Sequence, residues 1–460
     1  MRRHFIVLAA AGLTALGGLA VPAVASAGTG GEQAPGTGVQ PIPAANTPRF
    51  KASNDNPVEQ IRQIVQCGNT MYAVGTFSQI LQGGSQVYAR SNVFSFSATS
   101  PFKMTPWAPS VNGIVNSIAF NGNNCADAYI GGKFSSVNGT AVHNIAEIDT
   151  TTGNVVSSFA HSANAQVSTL QGVDGHILAG GYYTTINGSS SDPYMTSLNP
   201  TTGQDDKFLQ LNISGNYYWC DPGGCTGSNP TRVYNQQLSP DGTLDLVEGD
   251  FTSVGGQPRQ QIFMLNVSGS SATVTGWTSP DFSTDCWYDE PFYLQAAAWS
   301  PNQSTIYVAT TGYRPPNSSE PPDYGLCDAA AAYPSTQTSV SSLWINYMGC
   351  DSLYSTAADA STAYFGGHER FSMNPNGCDS LGPGGYNAPG MEGLDPANGA
   401  LYTDSTGTVG YYSRARGWGA DDMLTTSAGL WIASDNFDGS DTCGGVGGHS
   451  GLCFLPYASG

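Results

Sequence analysis

The stretch Ile130-Gly131-Gly132-Lys133-Phe134-Ser135-Ser136-Val137-Asn138-Gly139 decides the fold, because its pattern returns along the chain. A short apolar run ends in glycine, an aromatic residue follows, and a polar turn closes on another glycine. The aromatic residue and turn recur at residues 183–188 and 251–256. Self-similarity of this kind is the sequence signature of a repeat fold, in which each copy is one supersecondary unit.

Three landmarks divide the chain into units of about 60 residues. The first is the apolar run, found seven times, at residues 71–75, 129–132, 177–181, 244–249, 306–310, 363–367 and 430–434. The second is an aromatic residue that closes each unit, in the series Phe50, Trp107, Phe159, Phe208, Trp277, Trp344 and Trp418. The third is an alternating segment, seen at residues 145–149, 195–199 and 391–395. Each unit thus reads as four short strands, and the sequence predicts an all-β, seven-bladed β-propeller of four-stranded blades.

The second to fourth units resemble the delta-sixty-type repeat of secreted bacterial propellers, which is a relative of the kelch repeat. The resemblance rests on residues 130–134, 136–139 and 144–146, followed by Gly153 and Phe159. It implies a propeller in an extracellular setting, and it implies no reaction and no fixed catalytic residues. The copper and radical residues of kelch-type oxidases, the sialidase-type Asp box and the WD dipeptide have no counterpart in the sequence.

Composition agrees with a β-rich globular protein. The chain contains 58 Gly and 28 Pro, and only 11% of its residues are charged, which argues against long helices. Hydrophobic residues make up 40%, enough for a sizeable core. The formal charge of -19 repels phosphate backbones and anionic lipids, so nucleic-acid binding and membrane-surface binding are excluded as functions.

The start of the chain has the features of an export signal. Arg2 and Arg3 precede an apolar run and an Ala-Ser-Ala cleavage signature, which predicts a signal peptide over residues 1–27 and a secreted, extracellular protein. The two arginines also fit twin-arginine export, whereas ten cysteines favour the general secretory route, and both stay open. Residues 28–45 are predicted to be a disordered leader, and residues 46–460 a single propeller domain without a membrane span.

The two ends of the chain are predicted to meet in the last blade. The seventh unit ends at its third strand, near Tyr457, so its fourth strand is missing. Phe50 occupies the place of a closing aromatic residue before the first unit begins. Residues 46–51 are therefore expected to complete blade seven and to close the ring.

The ten cysteines are predicted to form disulfides that hold loops. In a propeller, the loops from second to third strand and from one blade to the next lie on one face, which we call the top face. Five insertions fall on it, at residues 212–231, 281–293, 314–327, 368–389 and 435–451. Nearest-neighbour pairing on this map gives Cys67 with Cys125, Cys220 with Cys225, Cys286 with Cys327, Cys350 with Cys378, and Cys443 with Cys453.

The insertions also carry the candidate site residues, because aromatic faces beside carboxylates suit sugar rings. The predicted ligand-binding residues are Trp287, Tyr288, Arg314, Tyr324 and Arg370. If the chain is an enzyme, paired carboxylates would act as acid and base, and the candidate catalytic residues are Glu369, Glu290, Asp289 and His368. An ordinary acidic loop surface packed over disulfides is the alternative interpretation.

No cofactor and no metal are predicted. Cys220 and Cys225 lack further ligands at the spacing of a zinc site. Asp435, Asp438 and Asp441 could gather Ca²⁺ through loop oxygens, but their spacing is not that of an EF-hand, and an acidic loop is the preferred interpretation.

Three functions remain open on the sequence alone. The favoured hypothesis is a secreted binding or surface-interaction protein, with a carbohydrate or cell-envelope ligand on the top face. The alternatives are a carbohydrate-active enzyme, either a glycoside hydrolase or a lyase, and a purely structural component of the cell envelope. We expect a glycan or another cell-surface ligand as the partner, and a monomeric protein.

Overall fold

The protein is described here by a computed structural model. It describes residues 23–24, 31–33, 35–51, 59–84, 86–221, 224–283, 286, 292–312, 325–403, 419–436, 443 and 448–458. Regular structure in these residues is β throughout, apart from one 3-10 turn at Pro280–Ser283. The all-β prediction is confirmed for this part of the chain. No helix within it is long and apolar enough to cross a membrane.

The main sheets are antiparallel meanders, in which strands pair with their neighbours in chain order. Seven occur in the described residues, and we number them 1 to 7. Meanders 4 and 5 have four such strands and the others three. The strands are, for meander 1, Gln60–Cys67, Thr70–Thr76 and Val93–Ser97; for 2, Ile114–Asn121, Asn124–Lys133 and Ile145–Asp149; for 3, Val167–Val173, His176–Gly181 and Met195–Leu198; for 4, Arg232–Leu238, Leu244–Asp250, Ile262–Asn266 and Thr273–Val274; for 5, Tyr293–Trp299, Thr305–Thr311, Ala329–Pro334 and Trp344–Tyr347; for 6, Leu353–Ala358, Ala363–Gly367 and Met391–Leu394; and for 7, Ala420–Thr426, Gly429–Ser434 and Leu452–Pro456.

Single β-bridges stand where several of the three-stranded meanders would have a fourth strand. Phe96 pairs with Met104, Ile148 with Val155, Leu198 with Asp205, and Leu394 with Leu401. The chain therefore returns along the third strand in these meanders, but it leaves the sheet after one pair. Four full strands in every unit stay a prediction.

Short strands decorate the meanders. Ser136–Val137 and Thr140–Ala141 form the hairpin predicted from the repeated turn. Asn138 and Gly139 have φ of 48° and 79°, the left-handed conformation that a tight hairpin turn requires. The other short pairings are Gln79–Gln82 with Gln86–Ala89, Tyr217–Asp221 with Gly224–Asn229, Ser253–Val254 with Gln257–Pro258 and Ile213–Ser214, Phe371–Ser372 with Tyr386–Asn387, Glu32–Gln33 with Tyr402–Thr403, and Ala23–Val24 with Trp344–Tyr347.

The first strands of the meanders contact one another in a cycle. Each touches the first strand of the next meander, and that of meander 7 touches that of meander 1. The apolar cores lie between neighbouring meanders; Tyr72 and Trp107 of the first, for example, pack with Ile118 and Ile130 of the second. Sheets arranged around an axis, with their first strands innermost, are the layout of a β-propeller. The top face is then the end at which first strands begin and second strands end.

The N-terminal segment pairs with meander 7, but earlier in the chain than predicted. The amide of Gln40 donates to the carbonyl of Pro456 at 2.7 Å, and the amide of Ala44 to that of Phe454 at 2.8 Å. Val39, which the sequence assigned to the disordered leader, bridges to Tyr457 and is 1% exposed. Residues 39–44 thus occupy the place predicted for residues 46–51. The Gly- and Pro-rich composition hid this, because the free edge of the last third strand needs only backbone partners.

Candidate functional site

Every first strand contains a β-bulge at the same position near its start. One residue in each strand has no partner across the pair to the second strand. A bulge takes its extra residue out of the ladder and re-aims the side chain. The seven bulged residues are Arg62, Asn116, Ser168, Tyr234, Gln295, Tyr354 and Asp421, and all of them line one cavity.

This axial cavity has a volume of about 820 Å³, within the range of small-molecule sites. The first strands of all seven meanders contribute to its wall, and the residues flanking the bulges add further polar groups such as Gln60, Gln63 and Gln236. The bulges lie near the starts of the first strands, and Tyr182 and His368 enter from the ends of second strands. The cavity therefore lies toward the top face.

Packing explains why the bulged residues face the axis. Each of them follows an apolar residue that is fully buried between neighbouring meanders: Ile61, Val115, Val167, Val233, Leu294, Leu353 and Ala420. With that neighbour fixed in the core, the extra residue is left on the inner surface. The apolar residue holds the register, and the next residue is free to vary in chemistry.

Tyrosines dominate the wall formed by meanders 3 to 6. The Tyr234 hydroxyl donates to the backbone carbonyl of Leu294. The side-chain amide of Asn229 donates to the Tyr293 hydroxyl at 2.6 Å. The ring of Tyr354 lies beside that of His368, with centroids 6.1 Å apart. Burial raises the pKa of Tyr354 to about 12, so its hydroxyl stays protonated at neutral pH.

An arginine is stacked within this tyrosine wall. The guanidinium of Arg232 lies 4.9 Å from the ring centroid of Tyr182 and 5.6 Å from that of Tyr234. It donates to Asp250, whose carboxylate is fully buried behind it, and to the Tyr182 hydroxyl. Burial raises the pKa of Asp250, and the charge of Arg232 opposes this shift. Arg232 thus has partners within the protein and holds the two rings in place.

Charged groups concentrate on the wall formed by meanders 7 and 1, where Asp421, Asp422 and Arg62 line the cavity. Gln60 Nε2 donates to Asp421 Oδ1 at 2.7 Å, and the amide of Ile64 donates to Asp422 Oδ2 at 2.8 Å. Loss of water around its carboxylate raises the pKa of Asp422 to about 7, although backbone N–H groups oppose the shift. The same desolvation lowers the pKa of Arg62, and Asp421 opposes it. In the cycle of first-strand contacts, meanders 4 and 5 are the farthest from meander 1, so this wall faces their tyrosines.

The structure brings one of the described candidate residues into the cavity, namely His368. Glu369 is wholly buried, and burial raises its pKa well above the usual range, with the nearby Glu392 adding to the shift. Arg370 binds both oxygens of Asp351, at 2.6 and 2.8 Å, and Asp379 at 2.8 Å. Their roles toward a ligand stay predictions.

The other candidates lie outside the described residues. These are Trp287, Tyr288, Asp289, Glu290, Arg314 and Tyr324, and two of the three possible calcium ligands, Asp438 and Asp441. Among the residues that the structure does describe, no group of three or more His, Cys, Asp or Glu side chains could hold a metal ion.

Four of the predicted disulfides are present: Cys67–Cys125, Cys286–Cys327, Cys350–Cys378 and Cys443–Cys453. For the fifth pair, the backbones of Cys220 and Cys225 are opposite one another in a hairpin. Cys67–Cys125 joins the end of a first strand to the start of the next second strand, away from the top face. The others involve top-face loops. Disulfides in this number are compatible with an extracellular protein.

Neither a protein-family model nor a curated protein matches the chain. Among solved structures, the WD40 repeats of RRP9 are 11% identical, cover 91% of this chain and 100% of their own, and have a TM-score of 0.47. The WD40 β-propeller domain of Doa1 is also 11% identical, covers 92% and 98%, and has a TM-score of 0.46. The delta-sixty-type assignment stays a prediction.

Proposed function

We propose that the chain is a secreted, seven-bladed β-propeller that binds a carbohydrate in its axial cavity. In this proposal the seven meanders are the blades, and residues 39–44 close the ring as the outermost strand of the last one. The observation that carries the proposal is the ring of bulges. Seven equivalent positions place seven polar side chains around one cavity, while the apolar residue before each keeps the same structural role.

The chemistry of the two walls favours a sugar over an apolar ligand. Tyrosine rings offer flat surfaces to the apolar faces of a pyranose ring, and the protonated hydroxyl of Tyr354 can donate a hydrogen bond. Across the cavity, amides and carboxylates at Gln60, Asn116 and Asp421 can pair with several hydroxyl groups. A carbohydrate is the ligand class that presents both kinds of surface at once.

A carbohydrate-active enzyme is the second candidate, and one observation favours it. Asp421 and Asp422 are consecutive residues in the cavity wall, and the pKa of Asp422 is raised to about 7. Glycoside cleavage generally uses two carboxyl groups, of which the general acid has a raised pKa. Product formation from a bound oligosaccharide would distinguish this activity from binding.

A glycan array, followed by calorimetric titration of the best-bound oligosaccharide, tests the proposal. We expect Gln295→Ala to weaken binding about 3- to 10-fold, because one hydrogen-bonding side chain is removed from the cavity. Gln66→Ala is the matched control, since Gln66 belongs to a first strand but lies outside the cavity and donates to Gly68. Equal affinities for the two variants would contradict the axial site. Chromatography of the incubated oligosaccharide shows whether it is cleaved.

A further inference from the structure

Arg62 differs from the other arginines that the structure describes. There are six, and five of them donate hydrogen bonds to oxygen atoms of the protein: Arg49, Arg90, Arg232, Arg259 and Arg370. Arg62 donates none to a described residue, although it occupies a bulge position at the axis. The five N–H donors of its guanidinium are thus without an acceptor among the described residues, and Arg62 lines the cavity.

The surroundings of Arg62 make it a strong binding group. It is exposed to the cavity and not buried in the wall, so a ligand can reach it. The walls nevertheless remove much of its water, which strengthens any charge-assisted hydrogen bond that it forms. Asp421 is close enough to stabilise the charge of Arg62, but its Oδ1 accepts from Gln60. The planar fork of a guanidinium matches the two oxygens of a carboxylate.

The neighbouring carboxylates limit which anion fits. A doubly charged phosphate would be repelled by Asp421 and by the ionised fraction of Asp422. A singly charged carboxylate flanked by hydroxyls suits the wall better, because Arg62 can bind the carboxylate while Asp421 accepts from a hydroxyl. A sugar acid carries both groups on one ring.

We infer that the axial cavity binds a sugar carboxylate, and that Arg62 is the residue that selects for it. This inference rests on the proposed function, since it takes the cavity as a carbohydrate site. Beyond that function, the inference specifies that the ligand carries a carboxylate and that Arg62 is the residue that recognises it.

The test compares uronic-acid oligosaccharides with the same oligosaccharides after reduction of each carboxylate to a primary alcohol. For the parent protein, we expect reduction to weaken binding about 10- to 150-fold, the value of hydrogen bonds to a charged group. Arg62→Gln should bind the two forms about equally. The preference of Arg62→Lys for the acid form should lie between those of the parent and Arg62→Gln, because lysine keeps the positive charge but lacks the planar fork of the guanidinium.

Arg49→Gln is the matched control, because it removes the same charge at a residue outside the cavity that donates to the carbonyl of Phe50. It should leave the preference for the acid form intact. Thermal melting should change little in Arg62→Gln, because Arg62 donates no hydrogen bond to a described residue and loses only its charge interaction with Asp421.

The outcomes separate the two proposals. If the parent binds acid and reduced forms equally and Arg62→Gln changes neither, the inference is wrong while the carbohydrate site stands. If Arg62→Gln and Arg49→Gln lower the preference by the same factor, the effect is a long-range charge effect, and the inference is again wrong. If neither form binds, and no neutral glycan binds either, both proposals are wrong.

Discussion

The indole Nε1 of Trp344 donates a hydrogen bond to the carbonyl of Pro396, 3.0 Å away, and so ties meander 5 to meander 6. Two other closing aromatic residues make the equivalent bond: Trp107 to Asp149 at 3.1 Å and Trp277 to Pro334 at 3.0 Å. In each case the ring reaches the end of the third strand of the next meander. The tryptophans of the aromatic series that the structure describes are therefore ties between neighbours, whereas the phenylalanines of the series have no ring donor and Trp418 lies outside the described residues.

Gly399→Ala should test this tie. A Cβ on Gly399 would lie 2.5 Å from Cε3 of Trp344, so the indole must move. Gly139→Ala is the control, because Gly139 has a similar positive φ, 79° against 73°, and no atom within 4 Å of the added Cβ. Both variants incur the cost of a positive φ, about 1–2 kcal/mol. We expect Gly399→Ala to lose about 1–3 kcal/mol more in urea unfolding, and equal losses would contradict the tie.

The repeat could be read from the sequence because its landmarks keep their chemistry. Trp277 and Trp344 stay aromatic, and the turn at Asn138 keeps its left-handed residues, since packing and backbone conformation demand them. These features are visible as self-similarity along the chain.

The axial site escaped the same search for a physical reason. Its bulge positions are equivalent in the structure but are filled by different residue types. Examples are Arg62, Ser168, Tyr354 and Asp421. A bulge is defined by the register with the second strand, which a single strand does not display. The usable signal was the buried apolar residue at the start of every first strand, such as Val167, followed by a residue of changing chemistry.

Removing residues 38–45 should destabilise the protein. A chain that begins at residue 38 keeps the pairing of Gln40 and Ala44 with meander 7. A chain that begins at residue 46 loses it and leaves the edge of that sheet unpaired. We expect the midpoint of thermal unfolding to fall by several degrees between the two. Equal midpoints would show that residues 39–44 do not close the ring.

The Cys350–Cys378 disulfide should order a loop and leave the sheets unaffected. It joins the segment after meander 5 to the loop between the second and third strands of meander 6. In the double variant Cys350→Ser and Cys378→Ser, we expect faster hydrogen exchange at residues 374–385 and unchanged exchange in the strands.

The Cys67–Cys125 disulfide should instead affect hydrogen exchange in the sheets. Cys67–Cys125 joins a strand of meander 1 to a strand of meander 2, so replacing both by serine should speed exchange in those strands. Faster exchange throughout the strands of meanders 5 and 6 in the first variant would show that Cys350–Cys378 stabilises the sheets.

Glu392 should make the protein less stable as pH rises. Burial raises its pKa to about 8 in the folded state, against an ordinary value of 4.5. Its contribution to stability is therefore fully present below pH 4.5 and is lost as pH rises toward 8. Glu392→Gln cannot ionise, so its free energy of unfolding should fall less than that of the parent between pH 5 and 8.

Asp149→Asn is a useful comparison, because the pH dependence of stability due to Asp149 has the opposite sign. The N–H groups of Thr152 and Thr151 lower the pKa of Asp149, so its stabilisation is present above pH 4 and lost in acid. This variant should differ from the parent in its pH dependence only below about pH 4. If Glu392→Gln shows the same slope as the parent between pH 5 and 8, Glu392 is ionised in the folded protein.

Asp422 should make ligand binding depend on pH near neutrality. Its pKa of about 7 means that it loses its charge as pH falls from 8 to 6. The groups that share its part of the cavity are Arg62 and Asp421, with Tyr354 and His368 on the adjoining wall. Fewer negative charges beside Arg62 should favour a sugar carboxylate, so affinity should rise as pH falls. Asp422→Asn should bind at pH 8 as tightly as the parent does at pH 6, measured by calorimetry with a uronic-acid oligosaccharide.

The same variant separates binding from catalysis. If Asp422 is a general acid, Asp422→Asn should lower turnover of a cleaved oligosaccharide about 100- to 10,000-fold at pH 6, where Asp422 of the parent is largely uncharged and the two affinities should match. Asp421→Asn is the matched comparison, since its carboxylate lies in the same wall and accepts from Gln60. A loss of turnover in both variants indicates a carboxylate pair, as in glycoside cleavage. Retained affinity and no detectable product from the parent would leave Asp422 as a group that tunes binding through its charge.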